Sequence, residues 1–353
     1  MRFFADSIVL INIIFSVILF FLVIFLIGFH TYAEAKNKKV KKLEDKIYKL
    51  ISKTDASPLG INRIRHIRTI NGLRSLEIIS KKMNSEQISI LKEALSCEKF
   101  FKFIKKSLKS RHQSEAILTT KLIIALGFEQ FTEEIVCNLN RWNNNSEAQQ
   151  ISLLALVVNG CKNELVKLVT DNSFKLLISF RTTQEIIASF SGDKVDFYST
   201  LLKCNCDNYI KRACIQTIGN ENITQLSNEV LSFVDSENLN LLISAIRALG
   251  NLKYTPVKER LVVILQEADW ELTCAVVEAL AKIDPENSYD IIFPFVFHEE
   301  WWVRFRTAEA LVSLPNNKRL LEEKEICQDK YAFEMVSYML QKKNLLKAGE
   351  LNG

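Results

Sequence analysis

The side chains best suited to chemistry in this chain are its eight cysteines and four histidines. The closest cysteines, Cys204 and Cys206, have a single residue between them, whereas zinc ligands are typically separated by about two to four residues. All four histidines are distant from this pair in the sequence: His30, His66, His112 and His298. We therefore expect free thiols, with no metal and no other cofactor.

Sequence motifs for common catalytic sites are also missing. There is no glycine-rich phosphate loop, no His-Glu-x-x-His and no nucleophile elbow. The histidines fall in separate parts of the chain, so that no Ser-His-Asp or Cys-His arrangement can be assembled from the sequence. We expect a protein that is not an enzyme and that has no catalytic residues.

The elements that position all other side chains are set by one motif that recurs about every 31 residues. Its units start at Gln87, Leu118, Ala148, Ser179, Ile210, Leu241, Leu272 and Val303. Residues four, seven and eight positions after each start are mostly apolar or small. These positions and the start lie on one face of an α-helix, and the small residues allow a neighbouring helix to approach closely.

Capping residues indicate where these helices begin and end. Three positions before the start, five units carry a residue that favours N-caps: Asn84, Asn145, Asp207, Asn238 and Asp269. Leu176 breaks this column, which makes its unit the most irregular. Gly127, Gly219 and Gly250 follow the last apolar residue of their units, and we interpret them as C-terminal caps.

Partner helices fit between the units, for example over residues 256–267 and 285–297, and a fixed period of paired helices predicts an α-solenoid. Trp302-Val303-Arg304, followed by Thr307, Ala310 and Leu311, resembles the second helix of a HEAT repeat. The period resembles the short HEAT-like class, over roughly residues 69–314. The resemblance implies an all-α fold of about eight helix pairs, which we expect to follow one transmembrane helix.

An uncharged run over residues 8–29 predicts that transmembrane helix. As a helix it would be about 33 Å long, enough for a hydrocarbon core of about 30 Å. A cleaved signal peptide is the alternative, because Ala33-Glu34-Ala35 resembles a cleavage site. The length of the run and the lysines after it favour a single-pass anchor in the inner cell membrane, with the N-terminus outside and the repeats in the cytoplasm. The lysines expected at the membrane surface are Lys36, Lys38, Lys39, Lys41, Lys42 and Lys46.

A stalk follows the anchor. Val40, Leu43, Ile47 and Leu50 are spaced like a heptad seam. Two heptads are short for a coiled coil, and we favour a helix that packs on the first repeats. Residues 1–120 hold 22 Lys and Arg against 10 Asp and Glu, and the rest hold 24 against 31. The basic end is therefore the membrane end, and we expect anionic lipid near the stalk.

The chain is thus divided into four parts by sequence. These are a transmembrane anchor at 1–33, a basic juxtamembrane stalk helix and linker at 34–60, a HEAT-like solenoid at 61–315 and capping helices at 316–353. Solenoids present long concave surfaces to other proteins. We therefore expect a membrane-anchored cytoplasmic scaffold, an accessory subunit of an inner-membrane complex, whose oligomeric state stays open.

The partner-binding residues are expected two and six positions after the unit starts, on the face opposite the buried one. They are Arg181, Arg212, Ile243, Arg247, Glu278, Phe305 and Glu309. Among them, Ile243 and Phe305 would be exposed apolar residues flanked by charge. The alternative is an ordinary solvated helix face.

Two other functions are compatible with HEAT-like repeats: a lyase-type enzyme and a nucleic-acid-binding protein. Trp270, Trp301 and Trp302 with Asp269 resemble the tryptophan and acidic residue of HEAT-like DNA glycosylases. The distal repeats are net acidic, however, and an acidic surface repels phosphate. We expect no nucleic-acid partner.

Overall fold

The structure is a computed structural model that describes residues 2–52, 69–171, 173–315 and 317–350. Within these ranges the chain is helical or irregular and contains no strand. The prediction of an all-α chain is confirmed. The linker predicted before residue 61 lies in part outside the described residues, as do the side chains of Lys36 and Leu50.

The chain divides into two compact units, Met1–Ala155 and Leu156–Gly353. The first holds α1 (Arg2–Ser52), α2 (Ile70–Ser80), α3 (Ser85–Leu95), α4 (Glu98–Leu108), α5 (Gln113–Leu126), α6 (Thr132–Arg141) and most of α7 (Ser146–Val158). The second holds α8 (Lys162–Thr170), α9 (Phe180–Ala188), α10 (Lys194–Lys203), α11 (Asn208–Asn220), α12 (Ser227–Leu231), α13 (Leu239–Asn251), α14 (Lys258–Leu265), α15 (Trp270–Ile283), α16 (Tyr289–Ile292), α17 (Trp301–Ser313), α18 (Lys324–Gln328) and α19 (Lys330–Glu350).

The two ends of helix α1 differ in how far their side chains are buried. Over Val17–Lys49 it is long and apolar enough to cross a membrane, and its most apolar stretch has no buried residue. Toward the other end, Val40 and Ile47 are buried where α1 packs against α2 and α3. The Ser75 hydroxyl of α2 donates a hydrogen bond to the Val40 carbonyl at 3.3 Å. Val40 and Ile47 of the predicted stalk therefore pack against the helices that follow α1.

The predicted helical register agrees with the burial of side chains. Every residue four positions after a unit start is buried: Leu91, Leu122, Ser152, Thr183, Cys214, Ala245, Val276 and Thr307. All five predicted Asn and Asp caps accept a hydrogen bond from the first turn of their helix. In the irregular unit the N-cap is Ser179 rather than Leu176, because α9 begins three residues later than the column predicts.

Two of the three glycines predicted as C-terminal caps have a different role. Gly127 ends α5 in the left-handed conformation, with φ of 61°, as expected. Gly219 and Gly250 lie inside α11 and α13, where the next helix approaches too closely for a side chain. The left-handed residues after these helices are Asn222 and Lys253.

In the second unit, consecutive long helices pack side by side. Helix α9 contacts α11, which contacts α13, and the series continues through α15 and α17 to α19. Between them the partner helices are short and partly 3-10; in Phe293–Phe297, Pro294 removes a backbone donor and interrupts the regular helix. This order of contacts is compatible with a helical repeat solenoid.

Candidate protein-interaction surface

Three of the predicted binding residues belong to one row of alternating charge. The Glu278 carboxylate lies 3.4 Å from the Arg247 guanidinium and 3.0 Å from that of Arg306. Glu309 lies 2.8 Å from Arg306 and 3.6 Å from the Lys342 ammonium. We call these five residues the charged row. It crosses α13, α15, α17 and α19, one helix after another.

The charged row is largely neutralised by its own ion pairs. Every member is partly exposed to solvent, so each pair contributes between about 0 and 1 kcal/mol. Reading the sequence missed Arg306 and Lys342. Arg306 stands three residues before Glu309, and that helical spacing was the one available signal. Lys342 lies in the aperiodic C-terminal segment, where the sequence contains no signal for it.

The remaining predicted residues are placed separately. Arg181 is exposed on α9 and pairs with Glu185 of the same helix at 2.9 Å. The Arg212 guanidinium lies over the Phe180 ring, 4.4 Å from its centre. Ile243 is half-buried, so that the expectation of an exposed apolar residue there is wrong. Its position on α13 is covered in part because the neighbouring helices pack closely on both sides.

Phe305 is also half-buried, because two tryptophans cover it. Its ring stacks on Trp301 with centres 5.0 Å apart and meets Trp302 edge-on at 5.9 Å. The two indoles contact each other at 4.7 Å, nearly perpendicular. Helical spacings of three and four residues bring the three rings together at the start of α17. Trp301 and Trp302 remain 45% and 50% exposed, and we call these three residues the aromatic cluster.

Acidic residues precede the aromatic cluster. Glu299 and Glu300 are exposed, and neither has a cationic partner among the described residues. The nearby Arg304 donates hydrogen bonds to the carbonyls of His298 and Glu299, at 2.7 Å each, and lies over the exposed Tyr331 ring. Its guanidinium is therefore directed at backbone oxygens and an aromatic face. The two carboxylates stay available to another molecule.

The neighbouring cysteines Cys204 and Cys206 are directed at the protein backbone. The Cys204 and Cys206 thiols both donate to the Leu201 carbonyl, at 3.3 and 3.5 Å. Burial raises the pKa of Cys206 to about 12 and raises that of the nearby Cys214 as well, so both thiols stay protonated at neutral pH. No group of three His, Cys, Asp or Glu side chains in the described part of the chain could hold a metal ion.

Other candidate polar groups serve the helix ends. The Asp269 carboxylate caps α15 by accepting from the Leu272 N–H at 3.1 Å. His298 accepts from the Glu300 N–H at 3.0 Å and so stabilises the turn before α17. Of the residues that resembled a glycosylase site, Asp269 is a helix cap, and Trp301 and Trp302 belong to the aromatic cluster. No family model matches this chain, and no curated protein matches it.

Proposed function

We propose that this protein is a membrane-anchored cytoplasmic HEAT-repeat scaffold that binds another protein at the inner membrane, as an accessory subunit of a membrane complex. The observation that carries the proposal is helix α1. At one end it presents exposed apolar side chains that a hydrocarbon environment would cover, and at the other it is packed on α2 and α3. The anchor and the first helices therefore form one continuous element.

The proposed topology has the N-terminus outside and the repeats inside. The exposed lysines of α1 that support it are Lys38, Lys39, Lys41, Lys42 and Lys46. Positive charge next to a span favours the cytoplasmic side, and each lysine near anionic lipid contributes about 1 kcal/mol. Helix α1 also continues without interruption through Ala33-Glu34-Ala35, which supports an anchor over a cleaved signal peptide.

The HEAT-like solenoid is supported by the agreement between repeat register and burial. Residues at corresponding positions are buried in unit after unit, and the long helices of the second unit contact each other in sequence order. A solenoid of this kind offers successive helices to one extended partner. The charged row lies on such successive helices and the aromatic cluster lies on one of them, which favours a protein partner over a small substrate.

The first experiment tests the topology. We expect a protease added to intact cells to leave residues 36–353 whole, and the same protease added to inverted membrane vesicles to digest them. A C-terminal tag would report both results. A soluble exported form that begins at Lys36 would contradict the proposal and establish a signal peptide.

The second experiment tests partner binding in the membrane. A photo-crosslinking amino acid at position 305 should capture one defined protein in living cells. The matched control is the same amino acid at position 263, where Val263 is 65% exposed on α14. Equal capture from both positions, or none from 305, would argue against a scaffold that binds through α17.

A further inference from the structure

We infer that the aromatic cluster, together with Glu299 and Glu300, docks a short basic segment of a protein that also carries apolar side chains. The segment we assign to it is the Lys/Arg-rich stretch next to a membrane span of another protein. This inference rests on the proposed function, since it names the class of partner that the scaffold would hold.

Aromatic rings make up the apolar part of the surface. Two indoles, about half exposed, stand side by side over Phe305 at the first turn of α17. Tyr331, at the start of α19, is 66% exposed. Its ring lies beside Arg304, which belongs to α17 like the aromatic cluster. Aromatic side chains packed against each other lose little entropy on binding and are frequent anchors of protein interfaces. The cluster is therefore preorganised for an apolar or cationic side chain.

The negative charge of the surface favours a positively charged occupant. Glu299 and Glu300 have no cationic partner among the described residues, whereas Glu278 and Glu309 of the charged row are already paired with Arg306. Lysine and arginine satisfy both features of the surface at once. Their charge pairs with a carboxylate, and they are attracted to the faces of exposed indoles.

The corresponding position one unit earlier has the same character. Asp269, Trp270 and Glu271 stand at the start of α15 as Glu300, Trp301 and Trp302 stand at the start of α17. Of the three carboxylates, only that of Asp269 has a hydrogen-bond partner among the described residues. Trp270 is 41% exposed. Because α15 packs against α17, an extended segment could contact both helix starts.

A basic occupant agrees with the proposed location. Cytoplasmic segments next to membrane spans carry an excess of lysine and arginine. A scaffold anchored in the same membrane meets such segments at high local concentration, because both molecules are confined to one surface. The chemistry of the surface and its location therefore indicate the same class of partner.

The experiment measures binding of a fluorescent peptide to the full-length protein in uncharged detergent. The probe is a short amphipathic peptide of lysine and leucine, and its counterpart has glutamate in place of lysine. We expect the lysine peptide to bind and the glutamate peptide not to bind. Trp301→Ala with Trp302→Ala should weaken binding about tenfold or more. Glu299→Lys with Glu300→Lys should weaken it about tenfold at about 50 mM salt and less at about 300 mM.

Two matched variants separate the site from general effects. Glu259→Lys with Glu267→Lys changes the net charge as much as the Glu299 and Glu300 variant does, at exposed positions in α14 and just after it. Tyr48→Ala removes an aromatic ring of α1 that is as exposed as Trp301. Both should bind the peptide as the wild type does, and circular dichroism should show unchanged folding in every variant.

Unchanged affinity in both site variants would overturn the inference, as would equal binding of the glutamate peptide. Self-association that is lost on Trp301→Ala with Trp302→Ala, without peptide binding, would assign the cluster to a second copy of this chain and would also overturn it. None of these results depends on topology or on cross-linking in cells. A negative result in the peptide-binding experiment would therefore not decide the proposed scaffold function, which the topology and cross-linking experiments test separately.

Discussion

Gly219 of α11 lies directly against Ala248 of α13. A Cβ atom on Gly219 would be 2.7 Å from the Ala248 Cα and 2.9 Å from its Cβ. One period later Gly250 meets Ala279 of α15 in the same way, with the corresponding Cα at 2.8 Å. The glycine of one helix and the alanine of the next therefore set the distance between neighbouring helices, twice in succession.

Because of this contact, we expect replacement of a helical glycine by alanine to lower the stability of the protein rather than raise it. Helix propensity alone would make Gly219→Ala stabilising by about 0.5 to 1 kcal/mol. The clash with the Ala248 backbone should instead destabilise the protein by about 1 to 3 kcal/mol. Urea unfolding measures the difference, and Gly28→Ala is the control because no atom lies within 4 Å of its added Cβ. A more stable Gly219→Ala variant would contradict the close approach.

We expect a charged side chain at position 248 to destabilise the protein. It is buried against Gly219, so that Ala248→Glu places a carboxylate without a partner between two helices. We expect a loss of about 3 kcal/mol or more in the free energy of unfolding, from overpacking and desolvation together. Val263→Glu, at an exposed position of α14, should stay within about 0.5 kcal/mol of wild type. Equal melting temperatures for Ala248→Glu and wild type would refute the assigned repeat register.

The charged row predicts weak but measurable coupling between helices. Double-mutant cycles with Glu278→Ala and either Arg247→Ala or Arg306→Ala should give coupling energies of about 0.2 to 1 kcal/mol, because these groups are partly exposed. Salt at about 1 M should reduce both values. Arg181→Ala, on a separate ion pair of α9, serves as the uncoupled control with Glu278→Ala. Coupling of equal size in that control would show that the row does not act as described.

Asp284, which ends α15, predicts a pH dependence of stability. A hydrogen bond from Lys258 at 2.6 Å, aided by Asn287, holds the pKa of this carboxyl below its ordinary 3.8. A lowered folded-state pKa stabilises the protein above the pKa of the unfolded chain, and this stabilisation is lost as the pH falls through the folded value. Asp284→Asn should therefore melt lower than wild type at pH about 6, and the difference should shrink below pH about 3.8. Lys258→Met should reproduce this pattern. A difference that is constant with pH would exclude the ion pair as its cause.

The sequence by itself determined the helices and their buried faces. Periods of three to four residues and Asn or Asp caps act within a single helix, so residues such as Ala245 and Asn238 could be assigned without any tertiary information. The long apolar part of α1 could be recognised for the same reason, since length and composition are local properties.

Only the tertiary structure decided the roles that depend on the neighbouring helix. Gly219 resembles a cap in the sequence but is required by Ala248, which lies 29 residues further along the chain. Glu278 resembles a free binding group but is held between Arg247 and Arg306 on two other helices. The distance and rotation between packed helices set these contacts, and the periodicity of a single helix contains neither quantity.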